Sequence, residues 1–160
     1  MHGRLPALSW WQMDLADLAV REVGLEDAAA AAALSAELGY PLAAGLMAER
    51  IQSLSQAAGQ VVYVACVSGQ VVGWIDVVVT HHLAAGPRAE IAGLVVSAEV
   101  RGRGIGRWLV ARAEQWAVDQ GLAAMVVRSR ITREDAHRFY LREGYLRTKT
   151  SAVFTKELGA

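Results

Sequence analysis

The clearest chemical signature in this chain lies at residues 101–106, which read Arg-Gly-Arg-Gly-Ile-Gly. An apolar run ends at Val96 just before them, and from Ile105 onwards apolar residues recur at the spacing of one helix face. The first N–H groups of a helix lack backbone partners and carry partial positive charge. Glycines let a phosphate approach such groups, and arginines add local positive charge. The pattern therefore predicts a phosphate or pyrophosphate site at the beginning of a helix.

Three phosphate-binding patterns compete for this turn. A P-loop requires lysine and then serine or threonine after its last glycine, whereas Arg107 follows here. A dinucleotide fingerprint requires Gly-x-Gly-x-x-Gly and an acidic residue about 20 positions later, where this chain has Val126. The third pattern, Arg/Gln-x-x-Gly-x-Gly/Ala, is matched in full by Arg101, Gly104 and Gly106. A glycine turn without a ligand is the plain alternative, which three glycines and two arginines disfavour.

The third pattern resembles the acetyl-CoA motif of the GNAT superfamily of N-acetyltransferases. Residues 135–145 also resemble that family's segment Asn-x-x-Ala-x-x-Phe/Leu-Tyr-x-x-x-Gly-Phe/Tyr, and residues 71–74 resemble the beginning of its third strand. The likeness covers about residues 18–158. Arg133 is a departure, because the family frequently has there an asparagine that helps to hold the pantetheine arm. Contacts from residues 129–133 to the cofactor are therefore left open.

Hydrophobic periodicity and turn residues predict a mixed α+β chain in the order β-α-α-β-β-β-α-β-α-β-β. The resemblance implies a single-domain GNAT fold, with a mixed, mostly antiparallel sheet of about seven strands and about four helices. We expect this domain to span residues 18–158, after an N-terminal extension of residues 1–17. The predicted strands are residues 18–23, 61–67, 70–80, 89–96, 123–128, 146–149 and 152–156, and the predicted helices end near residues 38, 57, 121 and 142.

The resemblance implies that acetyl-CoA is the cosubstrate and that no metal is required. Its pyrophosphate is expected on residues 101–106 and its pantetheine along residues 94–96. Backbone N–H groups around Val95 and Val96 are expected to stabilise the oxyanion, because the fourth strand of the family bulges and splays from its neighbour. The cofactor-binding residues that follow are Leu94, Val95, Val96, Arg101, Gly102, Arg103, Gly104, Ile105 and Gly106.

Two side chains are the candidates for proton transfer. Acetyl transfer to an amine requires that an ammonium loses a proton and that the thiolate of coenzyme A is protonated as it leaves. By resemblance, Tyr140 stands where the family often has a tyrosine near the sulfur, and Glu90 stands where many relatives have a glutamate base. The structural alternative for Tyr140 is packing beside Phe139. The structural alternative for Glu90 is an ordinary solvent-facing charge.

Composition excludes several other functions. Sixteen basic and sixteen acidic residues give a formal net charge of zero, so no global field favours nucleic acid or an anionic membrane. The single cysteine, Cys66, lies in an apolar run and indicates an inert, buried thiol. With no long apolar segment or signal peptide in evidence, a cytoplasmic protein is expected. His81 and His82 are interpreted as exposed loop residues rather than metal ligands.

We therefore expect an N-acetyltransferase that passes an acetyl group to a primary amine by direct attack in a ternary complex. A non-catalytic acyl-CoA-binding module of the same fold is the alternative. The acceptor is a small-molecule or peptide amine, with specificity in loops such as residues 40–50 and 81–88. Those loops lack an acidic cluster, which disfavours a highly cationic acceptor. The resemblance is also compatible with a homodimer.

Overall fold

A computed structural model describes residues 14–159 of the chain. The first thirteen positions of the predicted N-terminal extension, with Trp10 and Trp11, lie outside the described residues. The chain divides into two compact units, the first ending at Val127 and the second beginning at Arg128. Among residues 14–159, no helix is both long enough and apolar enough to cross a membrane.

The first unit is a five-stranded sheet with three α-helices. The strands follow one another across the sheet in chain order, and only the pair formed by the last two is parallel. The strands are β1 (Ala19–Glu22), β2 (Gln60–Val67), β3 (Gln70–His82), β4 (Gly86–Val96) and β5 (Met125–Val127). The helices are α1 (Ala28–Leu38), α2 (Ala44–Leu54) and α3 (Ile105–Asp119), with short 3₁₀ turns at Leu15–Asp17, Leu25–Asp27 and Ala98–Val100.

The central strand β3 directs alternate side chains to opposite faces of the sheet. Trp74 donates its indole N–H to the carbonyl oxygen of Ala31 (3.2 Å), so the even-numbered residues of β3 face α1. A Cβ added at Gly73 would lie 3.2 Å from Leu109, so the odd-numbered residues face α3. The α3 face carries most of the large side chains that are fully buried, namely Tyr63, Ile75, Val77, Ile105, Leu109 and Val110.

An ion pair anchors the beginning of α1 to strand β1. Both terminal guanidinium nitrogens of Arg21 donate to the carboxylate of Asp27, at 2.7 and 2.9 Å. Asp27 also accepts the backbone N–H of Gly24 (2.8 Å), although only 4% of the residue is exposed. These bonds keep the pKa of Asp27 below its usual value, with the bond from Arg21 as the largest cause. The turn before α1 is therefore held by a buried carboxylate that carries its charge.

The second unit contains helix α4 (Glu134–Arg142) and a long segment without regular structure. Residues 146–149 and 152–156 are described by the structure, but they do not form the two strands predicted there. The sheet of the described residues therefore has five strands rather than about seven. A strand exists only when another backbone pairs with it, and the second unit has no described strand to serve as partner. This prediction was wrong, whereas the mixed α+β class and the four helices are confirmed.

Candidate functional site

The predicted phosphate turn is an open, left-handed turn at the beginning of α3. Gly102 and Gly104 have φ angles of +76° and +85°, and Gly104 caps the helix. A Cβ added to either glycine would meet no atom within 4 Å, so backbone conformation rather than crowding requires glycine there. Both glycines are exposed. The first N–H groups of α3 therefore point towards a solvent-accessible surface that a diphosphate can reach.

Two side chains tie this turn to the rest of the first unit. Arg101 folds back so that its Nε donates to the carbonyl oxygen of Val96 (3.0 Å). Glu37, near the end of α1, accepts the backbone N–H of Ala98 (2.9 Å) and lies 3.6 Å from the guanidinium of Arg101. Glu37 therefore partly balances the positive charge that Arg101 places beside the turn. Through its bond to Val96, the Arg101 side chain also links the end of β4 to the turn.

Strand β4 contains the bulge that the family resemblance implies. Asp76 of β3 pairs with Gly93, but the next residue, Val77, pairs with Ile91, so Ala92 is an extra residue on β4. The N–H of Ala89 donates towards β5, to the carbonyl of Ala124 (3.0 Å). Eight residues later the N–H of Ser97 donates the other way, to Val72 of β3 (2.8 Å). Without the bulge both would point to the same side, because strand donors alternate with period two.

The bulge decides which N–H groups of β4 are available. By the same alternation, Val95 points its N–H towards β3 as Ser97 does, whereas Leu94 and Val96 point theirs away from β3. Pairing of β4 with β5 covers only Ala89 to Ile91, so within the first unit the strand edge beyond Ile91 has no β5 partner. Of the two donors predicted for the oxyanion, Val96 points its N–H to this open edge, whereas Val95 points its N–H towards β3.

Glu90 lies on β4 before the bulge, opposite Val78 of β3. Val78 is an even-numbered residue of β3, so the half-buried Glu90 lies on the sheet face towards α1. Asp76 shares this face and accepts a hydrogen bond from the side-chain amide of Gln60 (2.9 Å). Burial raises the pKa of Asp76, and the bond from Gln60 opposes that rise. Sequence reasoning gave Asp76 no role, although one carboxylate within the apolar run of residues 71–79 was a usable signal.

Tyr140 lies on α4 in the second unit. Its ring makes edge-to-face contacts with Phe139 (5.1 Å between centroids) and Tyr145 (5.6 Å). Burial raises the pKa of Tyr140 to about 12, against a lowering influence of Arg133. The phenol therefore keeps its proton at neutral pH. It is equipped to donate a hydrogen bond, but it is a weaker acid than a thiol.

The other side chains that could take part in chemistry have surroundings that indicate no catalytic or metal-binding role. Cys66 is 8% exposed, and burial raises the pKa of its thiol, which agrees with an unreactive residue. His81 and His82 are exposed at the end of β3. His137 makes a ring-nitrogen hydrogen bond with the carbonyl of Arg130 (2.9 Å). Within residues 14–159, no group of three or more His, Cys, Asp and Glu side chains is arranged to hold a metal ion.

Comparison with known proteins identifies the family. The profile of the Acetyltransferase (GNAT) family matches residues 28–145, which include all three resembling segments. The chain therefore belongs to the GNAT acetyltransferase family, and the resemblance seen in the sequence is confirmed.

Two curated relatives are named as N-acetyltransferases. An aminoglycoside N(6')-acetyltransferase type 1 of Stenotrophomonas maltophilia is 30% identical over 143 residues, 87% of this chain and 93% of that protein. An aminoalkylphosphonate N-acetyltransferase of Salmonella typhimurium is 44% identical over 92 residues. This second match covers 57% of this chain but only 58% of that relative's length.

Solved structures show the same fold. The aminoglycoside N-acetyltransferase AAC(6')-Iy, solved in complex with CoA, superposes with a TM-score of 0.79 at 17% identity. The superposition covers 87% of this chain and 94% of that one. At this identity the likeness concerns the fold, which is that of the GNAT family.

Proposed function

We propose that this protein is an acetyl-CoA-dependent N-acetyltransferase that acts on a small-molecule amine. Family membership and two relatives named as N-acetyltransferases support the reaction. The observation that carries the proposal is the combination, in one unit, of an open glycine turn at a helix start and a strand edge freed by a bulge. The turn suits a diphosphate, and the strand edge suits the amides and thioester of the pantetheine arm.

The turn of residues 101–106 binds the diphosphate of acetyl-CoA in this proposal. Its first helical N–H groups donate to phosphate oxygens, and the positive end of the α3 dipole favours their charge. The pantetheine amides pair with β4 beyond its bulge. The N–H groups of Leu94 and Val96 then face the thioester, where one of them can stabilise the oxyanion.

The chemistry is a direct transfer in the ternary complex. The acceptor ammonium gives a proton to Glu90, directly or through water, and the neutral nitrogen attacks the thioester carbon. The attacking nitrogen of the tetrahedral intermediate gives up a second proton to the site or to solvent, the oxyanion collapses, the carbon–sulfur bond breaks, and the neutral amide and the thiolate of coenzyme A form. Tyr140 donates a hydrogen bond to that thiolate, which takes its proton from the site or from solvent. The net products are an N-acetylated amine, coenzyme A and one proton.

Thiol release from acetyl-CoA tests the function directly. The protein is mixed with saturating acetyl-CoA and a panel of diamines, aminoglycosides, aminoalkylphosphonates, amino acids and peptide N-termini, and a disulfide reagent reports free thiol. The buried Cys66 keeps the background low. We expect amine-dependent release and an acetyl group on the acceptor by mass spectrometry. Binding of acetyl-CoA without release for any amine would instead support the non-catalytic acyl-CoA module.

We also propose that the chain forms a homodimer through residues 145–159. Four large apolar residues in this segment are 83–93% exposed, and such a group is uncommon on a monomer surface. They are Leu146, Val153, Phe154 and Leu158. Light scattering with size-exclusion chromatography is expected to give twice the chain mass, and Phe154→Ser should shift the protein to the monomer. A monomeric wild-type protein would contradict this proposal.

A further inference from the structure

A patch of polar side chains interrupts the sheet face that looks towards α1. The cross-strand register places Gln60 and Glu90 on either side of Val78, with Asp76 two positions earlier on the same face. Sheet faces that look towards a helix are normally apolar. We call Gln60, Asp76 and Glu90 the polar sheet patch.

Helix α1 packs on this face next to the patch. Trp74, one step before Asp76 on the same face, is bonded to the carbonyl of Ala31 in α1. Gly93 is packed so closely that an added Cβ would lie 2.8 Å from the Trp74 ring. Asp76 and Glu90 are both half-buried rather than enclosed. The indole therefore lies on the same face as two half-buried acidic residues.

The hydrogen bond to Asp76 makes up for only part of the hydration that its carboxylate loses on burial. The hydrogen-bond donor that the described residues supply to its carboxyl is the neutral amide of Gln60. An ionised carboxylate in such surroundings is stabilised strongly when a cation approaches it. Its backbone pairs with Gly93, the residue directly before the N–H of Leu94 at the open edge of β4. One strand spacing, about 5 Å, separates the two backbones.

We propose that Asp76 is a specificity-determining residue that binds a second ammonium group of the acceptor while the first is acetylated beside Glu90. This inference rests on the proposed function, because it assumes acetyl transfer at the open edge of β4. It narrows the acceptor to amines that carry a further cationic nitrogen roughly one to two strand spacings, about 5–10 Å, from the reacting one. The loops of residues 40–50 and 81–88 lack an acidic cluster, whereas this carboxylate lies on a strand.

The experiment compares matched acceptors and matched variants. Each diamine or aminoglycoside is paired with an analogue that lacks one amino group, and kcat/KM is measured for wild type, Asp76→Asn, Asp76→Glu and the control Asp119→Asn. Asp119 is an exposed carboxylate on α3, the helix that packs against the other face of the sheet. Binding of coenzyme A and the urea midpoint of unfolding are measured for each variant.

We expect wild type to prefer acceptors with the second amino group at least tenfold. Asp76→Asn should abolish that preference through KM, leave coenzyme A binding unchanged and not lower the urea midpoint, because a desolvated charge is removed. Asp76→Glu should retain part of the preference, and Asp119→Asn all of it. A structural role predicts the opposite, namely a lower midpoint and equal losses for both members of each pair.

Two further outcomes separate this inference from the function on which it rests. If no amine supports thiol release by wild type, the proposed N-acetyltransferase activity fails and the inference fails with it. If wild type acetylates amines but shows no preference for a second ammonium, or if Asp76→Asn keeps that preference, the activity stands and the role of Asp76 is overturned.

Discussion

Gly104 and Gly121 lie at the two ends of α3 with almost the same left-handed backbone, at φ +85° and +75°. A Cβ added to either would meet no atom within 4 Å. The two positions therefore carry the same conformational constraint, but only Gly104 belongs to the predicted phosphate turn. A comparison of substitutions at the two positions therefore separates the contribution of glycine to folding from its contribution to ligand binding.

Gly104→Ala and Gly121→Ala should each reduce the free energy of unfolding by roughly 1–2 kcal/mol, because an L-residue is disfavoured in this region. Only Gly104→Ala should also weaken coenzyme A binding, by about tenfold or more, since its methyl group stands where the diphosphate approaches. Urea unfolding and titration calorimetry measure the two effects. Equal coenzyme A affinity in both variants would show that the tip of α3 is not the diphosphate site.

Arg101→Ala removes the tie to Val96 and a positive charge beside the turn. We expect coenzyme A affinity to fall about tenfold, as is typical for a lost hydrogen bond from a charged group. The exposed Arg50 of α2 supplies the control Arg50→Ala, which should bind coenzyme A as wild type does. A matching loss in both variants would mean that general positive charge, not the turn, is responsible.

Tyr140→Phe removes the phenol proton while leaving the ring contacts with Phe139 and Tyr145 in place. The expected result is a kcat at least about tenfold lower with unchanged coenzyme A binding, because the departing thiolate loses a donor. Tyr145→Phe, which removes the hydroxyl group of the neighbouring ring instead, should have a much smaller effect. Unchanged turnover in Tyr140→Phe would remove the proposed role.

Glu90→Gln tests the proposed base through the pH dependence of kcat/KM. The variant should be slower than wild type by about 100-fold and should have a pH profile of a different shape, because an amide cannot accept the ammonium proton. Glu22→Gln, on the exposed strand β1, is the matched control and should keep the wild-type profile. An unaltered profile in Glu90→Gln would dismiss this residue as the base.

Asp27→Asn should destabilise the first unit by about 2–3 kcal/mol at neutral pH, since it breaks a buried ion pair whose other member is partly exposed. The pKa of Asp27 is lower in the folded protein than in the unfolded chain. Its stabilisation is therefore fully present above the unfolded value, about 4, and is lost as pH falls further. Urea unfolding between pH 7 and pH 3 should show a shallower acid loss in Asp27→Asn, and an equally steep one would contradict this account.

Local patterns made the strand–turn–helix at residues 89–119 predictable. The β-branched run, the alternating glycines and the helical spacing after Ile105 each act over a few residues, and the structure places β4, the turn and α3 there. A bulge in this strand was expected only from family resemblance, and its position at Ala92 was not predicted, although the adjacent Gly93 was a usable signal. The tie between Arg101 and Glu37 joins distant segments, which no local pattern encodes.

The strands predicted after residue 145 show the opposite case. Residues such as Val153 and Phe154 have high strand propensity, but propensity alone supplies no pairing partner. Those residues are more than 80% exposed and outside any strand in the described part of the chain. Asp76 received no role from the sequence for a related reason, because the sequence does not show which residues of the neighbouring strands face it.

In the proposed function, the tip of α3 and the open edge of β4 together hold acetyl-CoA. Backbone amide NMR of this 17.2 kDa chain during a coenzyme A titration tests it most directly. We predict the largest shift changes at residues 102–106, with separate changes at Leu94 and Val96 and little change at the N–H of Val95. Saturable binding that leaves the amides of residues 102–106 unperturbed would contradict the account.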